Sequence, residues 1–207
     1  MQKSAKQLIF SIPGHEEILS KIEDKYGEQA YKKVVWTAVR QLKQLQEENK
    51  NEPDALKVHT WNNIYPMIAF YQGIQKVMEP KEAFQLLRRN YLLEIKKMAR
   101  ALHKLLKVPG LYKLVPRFAY KITTKKYGTN ATFRYGDVES SKNHMKVDML
   151  GCPYYNACNR YECPELTDIF CTADDIAYGD MHPRLIWGRT QTLGRGDVCC
   201  DFKITIK

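Results

Sequence analysis

The sequence predicts an α+β fold: a helical N-terminal part packed on a small four-stranded antiparallel sheet with a helical insert, in the order β-β-α-β-β. Three observations predict it. Apolar residues recur at steps of three or four through roughly the first 125 residues, the spacing of amphipathic helices. After the turn residues Gly128-Thr129-Asn130 the period changes to two, the spacing of half-buried strands. All six cysteines then fall within the last 56 residues, interleaved with acids and aromatic rings. The expected division is a helical region, 1–127, and a cysteine-rich α+β region, 128–207.

Each element has its own signal. His15 to about Gln46 carries Ile18, Ile22, Tyr26, Ala30, Val34, Ala38, Leu42 and Leu45 on one face, which reads as one long helix strained at Gly27. Polar Glu47 to Asp54, with Pro53, reads as a loop. A second helix is expected from Thr60 or Trp61 to Val77, with Pro66 either kinking it or marking a first turn. Glu79-Pro80 opens a third, reaching about Lys107, with a core stripe through Phe84, Leu87, Tyr91, Ile95, Met98, Leu102 and Leu105. Pro109-Gly110 ends it, and a fourth helix runs from Leu111 to about Lys125, accepting Pro116 near its start. Thr132 to Val138 and His144 to Leu150 alternate and form a hairpin. Cys152 to Ala177 reads as two short helices, with Pro164-Glu165 suited to a helix N-terminus. Leu185 to Leu193 and Val198 to Ile206 form a second hairpin, turning at Gly194-Arg195-Gly196-Asp197.

Composition narrows the function classes. No stretch approaches the roughly 18 to 20 apolar residues that span a bilayer. The run Leu8 to Ile12 stops at Pro13, too short for a signal-peptide core, so a cytoplasmic location and free thiols are expected. The net charge of +10 is concentrated: Arg88 to Lys126 holds twelve Lys or Arg and one acid, Glu94. With no nucleic-acid motif beside it, this stretch reads as a solvated helix face over an apolar core stripe, in preference to a nucleic-acid or anionic-surface site.

The chemistry-bearing residues crowd the C-terminal third. Cys152, Cys158, Cys163 and Cys171 offer four thiols, but none of their intervals is the tight C-x-x-C of structural zinc sites. No cofactor is expected, with a zinc ion or an iron–sulfur cluster as the lesser alternative to packing thiols or a reactive one. Cys199 and Cys200 are adjacent in a strand and must face opposite sides. Asp174 and Asp175 lie three and four residues after Cys171, which puts thiol and carboxylate on one helix face. Arg189 alternates with Trp187 along a strand; its fork suits a carboxylate, either a substrate's or that of Asp201 across the hairpin.

Taken together, Pro109-Gly110-Leu111-Tyr112, Cys152-Pro153-Tyr154, Pro164-Glu165-Leu166, Phe170-Cys171-x-x-Asp174, Arg189-Thr190-x-Thr192-Leu193-x-x-Gly196 and Cys200-Asp201-Phe202 resemble the L-2-amino-thiazoline-4-carboxylic acid hydrolase family. The resemblance is densest from about Phe133 onward. It implies hydrolytic opening of a cyclic isothiourea to carbamoylated cysteine, and a small-molecule substrate that carries a carboxylate. Opening such a ring needs attack on the carbon between sulfur and two nitrogens. Asp174 or Asp201 is the expected base, Cys171 or Cys200 the candidate nucleophile, and Arg189 the clamp on the substrate carboxylate. Thr190, Tyr154 and Cys152 complete the expected binding surface. More distantly, the same half resembles the small-molecule-binding domain of the 4-vinyl reductase type, which implies a ligand sensor without turnover as the alternative.

Overall fold

A computed structural model describes residues 3–127 and 133–207. The turn read at Gly128-Thr129-Asn130, the region boundary beside it and the strand residue Thr132 lie outside the described residues. The chain divides into two compact units, 1–94 with 157–169 and 95–156 with 170–207.

The first unit is helical. A short helix α1 (Ala5–Ile9) begins at Ser4, whose side chain takes the Gln7 N–H while the Gln7 side chain returns to the Ser4 N–H. The long N-terminal helix expected from the apolar period is two helices, α2 (His15–Tyr26) and α3 (Glu28–Glu48). The break falls at Gly27, with φ 80° and ψ 170°, a conformation a side chain would oppose. The apolar face continues across it because Ile18, Ile22, Val34, Ala38 and Leu42 are all fully buried. The expected loop already turns helical at α4 (Asp54–His59), and a π-helical turn over Thr60–Ile64 leads into α5 (Tyr65–Ile74). Pro66 sits in the first turn of α5, directly after the π-helical turn.

Helix α5 is apolar all round and buried on nearly every side, so it is the core of this unit, and α3 packs along it. Gly73 permits that approach: a Cβ there would lie 2.9 Å from the Val34 carbonyl oxygen and 3.3 Å from the Ala38 Cβ. In an open helix Gly→Ala gains about 1 kcal/mol. Here overpacking, typically about 1–3 kcal/mol, opposes that gain against a backbone atom that cannot swing aside. Gly73→Ala is expected to lower stability by about 1–2 kcal/mol, read as a reduced urea midpoint at unchanged slope.

The segment 157–169 is stitched to this core through polar groups. Tyr71 donates to Glu165 at 2.6 Å, Arg88 pairs with Asp168 at 2.9 Å, and Arg160 donates to the buried Asn49 at 3.1 Å.

The second unit holds the C-terminal part of α6 (Pro80–Leu106) from Ile95 onward, a 3₁₀ turn (Leu111–Leu114), α7 (Val115–Lys121) and a π-helical turn (Ile122–Tyr127). Its sheet comprises β1 (Arg134–Ser140), β2 (His144–Gly151), β3 (Leu185–Gly188) and β4 (Cys200–Ile206), in the order β1-β2-β4-β3 and antiparallel throughout. The first expected hairpin is present, and β3 pairs with β4 as expected. However, β3 stops at Gly188 instead of Leu193 and β4 starts at Cys200, so residues 189–199, with a 3₁₀ turn at Leu193–Arg195, replace the expected four-residue turn. Between β2 and β3 lie α8 (Pro153–Arg160) and α9 (Leu166–Tyr178). The register sets Met149 opposite Cys200 and Val147 opposite Phe202, so these side chains share one face. That face is covered by α7 and closes over Leu106, Tyr112, Met181, Leu185 and Ile204.

Candidate functional site

Arg189 is the centre of the site. It follows β3 directly, and its side chain is only 2% exposed although guanidinium is costly to remove from water. Its Nη2 donates to the Cys171 carbonyl at 2.7 Å and pairs with the Asp175 carboxylate at 2.5 Å. Its flat face lies 5.5 Å from the centre of the Phe202 ring, a cation–π contact. Asp175 is held from a second side by the indole N–H of Trp187 at 3.1 Å. Strand alternation places Trp187 and Arg189 toward the same helix, and α9 supplies both carboxylates and the carbonyl.

The other end of the fork is unfinished. Nη1 is buried and has no hydrogen-bond partner among the described residues; Asp174 Oδ2 is 3.9 Å away, beyond hydrogen-bonding reach. Burial pushes the Asp174 carboxyl up to about 7, Arg189 pulls against that, and the neighbouring Asp175 charge adds to it. The side chain keeps 44% of its surface open to solvent, so screening tempers the push.

Three thiols adjoin this cluster. Cys200, 4% exposed, receives the Leu193 N–H at 3.3 Å; burial raises its pKa, against the opposing effect of that N–H and of Arg189. Burial pushes Cys152 up to about 12, although the backbone N–H groups of Tyr155 and Tyr154 pull the other way. Cys200 and Cys171 are both close enough to Cys152 to raise it further. Tyr154 packs edge-on against Phe170 at 4.8 Å, and Cys152, Tyr154 and Phe202 pack on Phe133, Met149 and Cys200.

Asp201 does a different job. Its carboxylate accepts the Thr190 N–H at 2.8 Å, the Thr190 hydroxyl at 2.6 Å and the Gln191 N–H at 2.6 Å. Burial pushes it up, but these hydrogen bonds outweigh burial and hold it below the ordinary carboxylate range. Asp201 and Thr190 thus anchor the segment after β3, while Arg189 turns to α9 instead of crossing the hairpin.

The cysteine quartet divides. Cys158 and Cys163 are buried in the first unit and Cys152 and Cys171 belong to the second, and none of the six cysteines is in a disulfide. Among the described residues no group of three or more His, Cys, Asp or Glu is placed to hold a metal ion.

The profile of the L-2-amino-thiazoline-4-carboxylic acid hydrolase family matches residues 59–204, which include every residue of the Arg189 cluster. The chain belongs to this family. No curated protein and no solved structure matches it. For a thiazoline-carboxylate hydrolase family member, the sequence motifs marked Arg189, Asp174, Cys171 and Cys200, and all four meet in one unit. Sequence reasoning weighed Asp175 only as an alternative to Asp174 beside Cys171, and left Trp187 and Phe202 without roles. The Asp174-Asp175 pair and the Trp187/Arg189 alternation were the available signals, since a buried Arg needs a carboxylate and an aromatic wall excludes water around it.

Proposed function

We propose that the protein hydrolyses a small cyclic amidine bearing a carboxylate, of the L-2-amino-thiazoline-4-carboxylate type. The observation that carries this reading is the buried Nη1 edge of Arg189, a charged donor without an acceptor among the described residues, beside a carboxyl whose pKa is raised toward neutrality. A substrate carboxylate would satisfy Nη1. In such a substrate the amidine carbon lies only a few bonds from the carboxylate, which brings it within range of Asp174.

Asp174 suits both proton transfers because a group that titrates near the working pH can accept and return a proton. As carboxylate it stabilises the substrate amidinium and takes a proton from the attacking water. As acid it returns that proton to the ring nitrogen when the ring carbon–nitrogen bond breaks, leaving a carbamoyl group on sulfur. Asp201 suits this work less, since its lone pairs are already committed to Thr190 and Gln191. The thiols suit attack less, because burial keeps Cys152 and Cys200 protonated at neutral pH. They serve instead as soft, compact lining against a sulfur-containing ring.

The test is incubation of the purified protein with L-2-aminothiazoline-4-carboxylate, following carbamoyl-cysteine by mass spectrometry and new thiol with a colorimetric reagent. Product without new thiol is the expected result. Product with new thiol would move the broken bond from nitrogen to sulfur. A ligand retained through purification without any turnover would replace the hydrolase reading with that of a binding module.

A further inference from the structure

The basic stretch contains an arrangement that its periodicity concealed. From Ile95 to Lys125 there are nine Lys or Arg and no acid, and every one of the nine is exposed. On the same two helices large apolar residues are exposed as well: Met98 63%, Leu102 40%, Leu105 56%, Leu114 56% and Phe118 65%. Met98, Leu102 and Leu105 follow one another at steps of four and three, so they form one stripe on α6; Leu114 and Phe118 are four apart on the next turn and α7.

These residues are not spare core. On α6 the core is served by Ala99 and Leu106, and on α7 by Val115 and Ala119 with Pro116 buried between them. Each exposed residue lies beside that buried face, so the unit presents an apolar stripe in addition to its core stripe. A solvated helix face needs the charges but has no use for Phe118 and Met98 in water.

We propose that the second half of α6 together with α7 is a docking face for an anionic lipid bilayer surface. The five apolar side chains enter the boundary between headgroups and acyl chains, and the surrounding cations meet lipid phosphates with their stems alongside. Charge selects this occupant. A second copy of the chain would set nine cations against nine, a repulsion that a bilayer rich in acidic lipid turns into attraction. Nucleic acid would use the cations but leave the four aliphatic residues without a partner. No helix among the described residues is long and apolar enough to cross a membrane, so the contact is peripheral.

The test is co-sedimentation of the full chain with vesicles of phosphatidylcholine alone and of phosphatidylcholine with 30% phosphatidylglycerol. Binding to the anionic vesicles is expected, with little to the neutral ones and a steep loss as salt rises. Leu105→Ser with Phe118→Ser should weaken it at least tenfold. Both positions are exposed, so an unchanged circular dichroism spectrum certifies the folded variant. Equal binding by parent and double variant would overturn the proposal in favour of simple polyanion attraction, as would tighter binding to an oligonucleotide than to the vesicles. Absence of vesicle binding, with self-association that Phe118→Ser abolishes, would assign the face to a second copy.

Discussion

Arg189→Met is expected to destabilise the protein by about 2–3 kcal/mol and to raise KM for a carboxylate substrate. Breaking a fully buried ion pair from one side costs about 3–5 kcal/mol, because the remaining charge is stranded. The pair here is less sealed: Asp175 keeps 38% of its side chain in water and retains the Trp187 N–H, so the lower figure applies. The Cys171 carbonyl also loses the Arg189 N–H, which loosens α9 where it meets the segment after β3. Methionine fills the volume over Phe202 without the charge, so the loss reports electrostatics and hydrogen bonding more than a cavity. Urea unfolding measures it. Adding Asp175→Asn to Arg189→Met removes the stranded charge, so the double variant should recover part of the deficit. A deficit unchanged by the second substitution would mean that packing, not the ion pair, was lost.

Asp174→Asn is expected to separate function from stability. Turnover of the thiazoline should fall by about 10²–10⁴-fold, the usual contribution of a positioned acid–base group. Stability at pH 8 should be kept or slightly improved. The sign follows from linkage. The Asp174 carboxyl is raised in the folded protein from 3.8 to about 7, so between those values the folded state holds more proton than the unfolded chain. Stability therefore declines as pH rises through that window and stays at its lower level above it. Asparagine removes the titration, so the variant should lack this decline. The parent's kcat/KM should rise with pH up to about 7, as the carboxylate forms. Denaturation of both proteins at pH 5 and pH 8, beside a pH–rate profile of the parent, tests both halves. Parallel stability curves would remove Asp174 from the titrating role, and a variant as active as the parent would remove it from the chemistry.

Together these variants bear on why a member of this family would keep a poorly paired carboxyl beside a buried guanidinium. Asp175 and the Cys171 carbonyl together satisfy one edge of Arg189 and tie it to α9. Asp174, at 3.9 Å, adds little to that hold and is itself disfavoured as a charge. Strain of this kind at one site is what a fold tolerates when the group is needed for binding or proton transfer.

Much of this was legible in the sequence. The apolar steps from Ile18 to Leu45 marked helix, the alternation of Met145, Val147 and Met149 marked a strand, and the motifs around Cys152, Cys171, Arg189 and Cys200 marked the family and its C-terminal cluster. Such signals are local: they follow from the 3.6- and two-residue periods and from turn residues, which neighbouring positions carry among themselves. The break at Gly27 was visible only as a strain, because glycine permits a left-handed φ without requiring it.

What the tertiary structure alone decided was which side chains meet. Residue type alone does not distinguish Asp174, Asp175 and Asp201 as partners for Arg189, and the sequence reading names only Asp201. The β3–β4 pairing and the placement of α9 gave Asp175 to the guanidinium, left Asp174 just out of reach and turned Asp201 toward Thr190 and Gln191. Likewise Met98, Leu102 and Leu105 fit a core stripe by period, yet the unit closes over Ala99 and Leu106 and leaves them in water. Periodicity names the face of a helix that is apolar; only packing between elements distant in sequence determines how much of that face another surface covers.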